Sequence, residues 1–272
     1  MAKDLSRRTQ LLIRFGYDGR RFRGLQPQGP GVPTAGQALK ERLAAAAGVQ
    51  ARGLAYAART DAGVHALNNA ATCYFLDEAD GVALATRLAA TRDDGLCHVV
   101  AEVVPPTIHA RGHSRGKRYR YLVDDRCRDA CAPRPFSWPV APELSGERLR
   151  LAARALEGTH DFSSLRGGGC TAAGTVKTLS RVRVGGPFPL EDGRRWLIEI
   201  VGDAFLRKMV RNAVALLVEV GSDWRPVDDV ARVLAARDRR VAGLCAPPEG
   251  LTLLDVGFAW PDDGSALIAE LR

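Results

Sequence analysis

The chain has 272 residues, 46% of them hydrophobic, which suffices for two modest domains and is too apolar for an intrinsically disordered protein. Its apolar runs are too short to span a bilayer, and Met1-Ala2-Lys3-Asp4 lacks the apolar core of a secretory signal, so a cytoplasmic protein with no membrane partner is expected. The formal net charge is +8, with arginine supplying nearly all the excess. This fits a polyanionic partner such as nucleic acid, and it also fits the Arg- and Ala-raising bias of GC-rich coding.

In chain order, residues 10–16 read as a strand closed by the turn Tyr17-Asp18-Gly19. A Gly/Pro-rich loop covers 24–33. Thr34 and Gln37 then form a capping box for a helix that stops at Gly48. Short strands are expected at 54–58 and 70–75, a helix at about 82–90 and a strand at about 98–104. Pro105-Pro106 marks the best boundary, giving an N-terminal domain 1–105 and a C-terminal domain 106–272. Beyond it, 117–123 alternates as a strand does, and Ser145 can cap a helix ending at Gly158. Residues 176–184 and 195–202 suit two paired strands. An amphipathic helix at 205–220 and another at 227–236 follow, and the four-glycine stretch 166–174 reads as a mobile loop. Strands and helices mixed without strict alternation indicate an α+β protein with a mainly antiparallel sheet. The six cysteines have no zinc-ligand spacing, so no metal site is expected.

The stretch Ala58-Arg59-Thr60-Asp61-Ala62-Gly63-Val64-His65-Ala66 carries the most chemistry. It follows a short strand, so Asp61 sits where an acid can project into a cleft from a held backbone. Gly63 permits a turn that other residues resist. If the strand continues, Arg59 and Asp61 share a face and the cation can hold the acid ionised. Taken alone, the stretch reads more readily as a salt-bridged turn. His65 reads as a structural hydrogen-bonding residue, Tyr119 and Tyr121 as packing residues, and Arg207 with Arg211 as a solvated helix edge.

The run Arg59 to Ala66 resembles, essentially letter for letter, the catalytic motif of TruA-type pseudouridine synthases. Other matches occur in the right order. They are Phe15-Gly16-Tyr17-Asp18-Gly19, Ile108-His109-Ala110-Arg111 with Lys117-Arg118-Tyr119-Arg120-Tyr121, Asp161-Phe162-Ser163-Ser164, and Ala204-Phe205-Leu206 with Met209-Val210-Arg211-Asn212. The resemblance spans residues 10–256. It implies a pseudouridine synthase fold, with two RNP-like subdomains joined in a continuous, mainly antiparallel sheet around a central cleft. It also implies a homodimer that acts on tRNA, converting uridine to pseudouridine at tRNA positions 38–40 in the anticodon stem-loop, with no cofactor. In that scheme Asp61 is the carboxylate that starts isomerisation, and Arg59 helps bring the nucleotide into the cleft. Tyr119 lies against the uracil, Arg211 pairs with Asp61, and Leu206 forms part of the apolar wall. Two other readings stay open: a divergent paralogue acting on another RNA, and a non-catalytic RNA-binding or chaperone protein.

The chain departs from the family pattern at Leu25, where tryptophan is usual, at Gly36, at Asn69, where glutamine is common, and through 92–98. These positions are expected to shape RNA docking rather than the carboxylate.

Overall fold

The computed structural model describes residues 8–76, 80–90, 93–132 and 134–258; Arg92 and the opening residues 1–4 lie outside them. The described elements run in the order β1 (Arg8–Tyr17), α1 (Ala35–Ala47), β2 (Arg52–Tyr56), β3 (His65–Leu76), α2 (Gly81–Ala89), β4 (Leu96–Val104), β5 (Ser114–Asp125) and β6 (Trp138–Pro139). They continue with α3 (Gly146–Leu156), β7 (Gly158–Asp161), β8 (Val176–Leu190), β9 (Gly193–Gly202), α4 (Met209–Gly221), α5 (Asp229–Ala236) and β10 (Leu251–Phe258). The chain divides into two compact units, Met1–Arg115 with Leu253–Arg272, and Gly116–Thr252. The class is α+β as expected. Among the described registers, β5–β6 is parallel and the rest are antiparallel.

In the first unit the strand order is β4-β1-β3-β10, with β2 also on β3. β1 is buried on both faces, since Leu11, Leu12 and Ile13 are all inaccessible. Helix α1 turns Leu39, Leu43 and Ala46 inward at helical spacing. Only half of the expected capping box forms. Thr34 accepts from the Gln37 N–H at 3.2 Å, but the Gln37 amide turns away to Glu41 at 2.7 Å. Gly48 closes the helix at φ 73°, as the sequence implies. Arg42 is an unexpected buried charge. Its guanidinium donates to the carbonyls of Leu88 and Ala90 at the end of α2 and pairs with Asp94, so α1 supplies the missing cap of α2.

In the second unit the order is β5-β9-β8-β7, with β6 on β5. Tyr121 and Val123 of β5 and Trp196, Ile198 and Ile200 of β9 are buried with Leu149 and Leu156 of α3. The amphipathic helix expected at 205–220 differs in two ways. It begins at Met209, because Lys208 takes the left-handed conformation at φ 60°. It is also buried nearly all round, with Arg211 half-exposed. Arg207 therefore lies outside the helix, and the expected Arg207/Arg211 helix face does not exist.

Asp124 and Asp125, at the end of β5, are fully buried. Asp124 receives Arg195 at 2.7 Å, Arg134 at 3.0 Å and the Ser137 hydroxyl at 2.6 Å. Asp125 receives Arg194 at 2.5 Å and the Leu144 N–H at 2.8 Å. Burial pushes both carboxyls up, but these hydrogen bonds and the arginine charges outweigh it and hold both below the usual carboxylate range. A depressed folded pKa stabilises the fold above the unfolded value near 4 and loses that stabilisation as pH falls through the folded pKa. Thermal melts should therefore show wild-type Tm falling steeply from about pH 5 to pH 3. Asp124→Asn should melt lower at neutral pH with a shallower slope over that range. An unchanged slope would remove Asp124 from the acid response.

Candidate active site

Asp61 lies in the first unit, on the loop 57–64 between β2 and β3. β2 ends at Tyr56 and β3 starts at His65, two residues earlier and five residues earlier than the sequence suggests. Arg59 and Asp61 are therefore not on a shared strand face. Both belong to the connecting loop, where Arg59 is exposed and Asp61 half-buried. The loop closes tightly. The Val64 N–H reaches the Asp61 carbonyl at 3.2 Å, and Gly63 takes φ 81°, which a side chain would resist.

Neighbouring segments hold this loop at several points. The Leu25 N–H donates to the Thr60 carbonyl at 3.2 Å, and the Ala57 N–H donates to the Ala70 carbonyl at 2.8 Å. Asn69, wholly buried on β3, donates through Nδ2 to the Ala58 carbonyl at 3.0 Å. The Tyr17 hydroxyl meets Thr60 Oγ1 at 2.7 Å. Burial raises the Tyr17 phenol to about 12, although its bonds to Thr60 and Asn69 oppose this, so it stays neutral at physiological pH. His65 is buried, with Nδ1 3.1 Å from the Gly19 N–H and 3.2 Å from Asp18 Oδ1, which matches the structural role read for it. The Arg20 guanidinium beside Asp18 holds that carboxyl below its ordinary value.

Three of the departures from the family pattern lie beside this loop. Leu25 is fully buried and bonded to Thr60, and Asn69 grips Ala58. Gly36 lies so close to Leu25 that a Cβ there would come within 2.4 Å of the Leu25 carbonyl and 2.6 Å of the Tyr56 hydroxyl. Leu25 through its backbone and Asn69 through its side chain thus hold the Asp61 loop, with Gly36 packed behind Leu25.

Tyr119, Leu206 and Arg211 lie in the second unit. Tyr119 sits on β5 opposite Ile200 of β9, and its ring meets Phe205 edge-on at 5.0 Å and 80°. Phe205 and Leu206 belong to the turn between β9 and α4, and Leu206 is buried. Tyr121, two residues on, is wholly buried and donates to the Pro247 carbonyl at 2.7 Å, so its hydroxyl is taken up by the fold. Arg211, in the first turn of α4, donates through Nε to the Ala246 carbonyl at 2.7 Å. That bond fixes one edge of the guanidinium and so orients the rest of the fork. Asn212 is buried and donates to the Leu165 carbonyl at 2.7 Å, tying α4 to the segment before the glycine-rich loop. That loop is held in turn, since the Arg207 guanidinium donates to the Gly168 carbonyl at 2.9 Å and the Gly167 N–H to the Arg207 carbonyl at 2.7 Å. Among the described residues, no group of three or more His, Cys, Asp or Glu side chains is arranged to hold a metal ion.

A family model described as tRNA pseudouridine synthase matches residues 152–259, which include α4 and Arg211. Over 251 residues the chain is 37% identical to the tRNA pseudouridine synthase A of Pseudomonas aeruginosa, covering 92% of this chain and 86% of that one. It is 37% identical to the enzyme of the same name from Myxococcus xanthus, covering 92% of each chain. It is 35% identical to that of Limosilactobacillus reuteri, over 92% of this chain and 97% of the relative. The chain belongs to the tRNA pseudouridine synthase A family.

Proposed function

We propose that the chain isomerises uridine to pseudouridine in the anticodon stem-loop of tRNA, at tRNA positions 38–40, with Asp61 as the catalytic carboxylate. Formation of pseudouridine in tRNA is the activity of the family to which the chain belongs. The observation that carries the finer reading is the half-buried Asp61 on a loop fixed at Ala57, Ala58 and Thr60, with the exposed Arg59 two residues away.

The reaction breaks the N1–C1′ bond, turns the uracil and joins C5 to C1′. A stacked uridine must first be flipped out, at a cost of a few kcal/mol. Arg59 offsets part of that cost by holding phosphate, and Tyr119 by stacking on the base. The Asp61 carboxylate stabilises the positive charge that develops on the ribose, with Arg211 as its partner arginine in the scheme that the resemblance implies. Leu206 supplies apolar wall beside the pyrimidine. The residues in this scheme need no cofactor, because no electron or phosphoryl group is transferred. The enzyme acts in the cytoplasm as a homodimer. Among the described residues no helix is long and apolar enough to cross a membrane.

The test is a pseudouridine map of all RNA from a deletion strain, beside tritium release from C5-labelled tRNA transcripts. Loss confined to tRNA positions 38–40, with release by the purified enzyme, is the expected result. Loss at sites in another RNA would make the chain a paralogue with a different substrate. An unchanged map with no release would leave an RNA-binding protein without turnover.

A further inference from the structure

Asn69, Tyr17 and Thr60 form a hydrogen-bonded chain that runs from the middle of β3 to the residue before Asp61. Asn69 has no accessible surface and Tyr17 is 2% exposed. Asn69 Oδ1 accepts from the Ala70 N–H at 2.8 Å, and Nδ2 donates to the Ala58 carbonyl at 3.0 Å and to Tyr17 Oη at 3.4 Å. These partners fix the orientation of the amide. The Ala70 N–H needs an oxygen facing it and the Ala58 carbonyl needs a nitrogen, so a flipped side chain would break two bonds. The Tyr17 hydroxyl, accepting from Asn69, shares a second hydrogen bond of 2.7 Å with Thr60 Oγ1. The ring of Tyr17 is held separately, by Phe22 edge-on at 5.9 Å and by Phe15 at 5.9 Å. The hydroxyl is therefore not needed to keep the ring in place.

The buried polar groups of Asn69 and Tyr17 are aimed at the loop, at Ala58 and Thr60. We infer that Asn69 and Tyr17 are positioning residues for the isomerisation, holding the Ala58 carbonyl and the Thr60 side chain on either side of Arg59 so that Asp61 meets the ribose or base at working distance. This rests on the proposed role of Asp61. Small errors in placing a reacting group are costly, about 10²-fold in rate for a displacement of about 1 Å, whereas binding of a large RNA through many phosphates is insensitive to them. The signature is thus a fall in kcat with KM and tRNA affinity unchanged.

The experiment uses the full chain with tRNA transcript and compares wild type with Tyr17→Phe, Thr60→Val and the double variant, with Asp61→Asn as reference. Tyr17→Phe keeps the ring and removes the hydroxyl that bonds Thr60. Thr60→Val keeps the shape and removes the hydroxyl that bonds Tyr17. Each single variant should lose at least tenfold in kcat, with KM and tRNA Kd within about twofold. The double variant should lose little more than either single one, because both cut the same bond. If Tyr17→Phe does not fold, Thr60→Val alone carries the measurement. Wild-type kcat in a folded Thr60→Val or Tyr17→Phe, with Asp61→Asn inactive, would overturn the inference. Independent, multiplying losses in the double variant would overturn it too. Activity retained in Asp61→Asn would instead overturn the role of Asp61 itself.

Discussion

Asp61→Asn is expected to lower kcat for pseudouridine formation by at least about 10³-fold while leaving tRNA affinity within about threefold. The amide is nearly the size of the carboxylate, so the turn closed by Val64 on the Asp61 carbonyl and the bonds to Ala58 and Thr60 all survive. Only the negative charge is lost. If that charge stabilises the developing cation on the ribose or forms the bond that starts the reaction, removing it cannot be compensated by binding. RNA affinity on a chain of net charge +8 is expected to come from many phosphate contacts and should barely notice one half-buried substitution. Single-turnover tritium release measures the rate, and filter binding on the same preparation measures affinity. Turnover by a clean Asp61→Asn preparation would remove the carboxylate from the chemistry.

Tyr119→Ala should lose about tenfold to a hundredfold or more in kcat/KM, and Tyr119→Phe should keep at least part of the activity. The ring of Tyr119 stands edge-on to Phe205, a contact that the phenylalanine variant preserves. Stacking on a flipped pyrimidine needs only the ring and is worth roughly 1–3 kcal/mol per base, which sets the size of the alanine effect. The hydroxyl matters if C5 must give up its proton to a general base after the new bond forms. The phenylalanine variant separates the two roles. Near-wild-type turnover assigns stacking alone, and substrate consumed without free pseudouridine assigns proton transfer as well. Because the side chain is buried, the alanine variant must first be shown to be folded, by its melt or circular dichroism. Full activity in that variant would remove Tyr119 from the site.

The regular elements were readable where period and punctuation agree. β1, the β8–β9 pair, α3 behind Ser145 and the stop of α1 at Gly48 all follow from alternation, caps and glycine. The start of β3 was not readable, because His65 to Ala70 is short of β-branched residues and pairing with β1 sets that strand, not propensity. The false start of α4 has a similar cause. Phe205 and Leu206 continue the apolar pattern of the helix, and nothing local marks Lys208 as the residue that breaks it. β10 escaped notice because its run Leu251 to Leu254 carries no period. At the site, the motif around Asp61 was visible but its supports were not. Asn69 and Tyr17 lie 52 residues apart, and neither their pairing nor the burial of Asp124 under Arg195 leaves a local trace.

The placement of β10 has a consequence for synthesis. The first unit takes its strand beside β3 from residues that follow the whole of the second unit in sequence. Asp255 of that strand receives Arg14 at 3.1 Å and Asn68 at 2.8 Å, and Arg14 also donates to the Val256 carbonyl at 2.8 Å. On the ribosome, at about 5–20 residues per second, the part of the outer side of β3 that β2 does not pair must wait on the order of ten seconds after β4 has emerged. During that interval it is an open sheet edge with unpaired amides, a template for wrong pairing with another nascent chain. Translation pauses within Gly116–Thr252 would lengthen this exposure, whereas pauses after Phe258 would not.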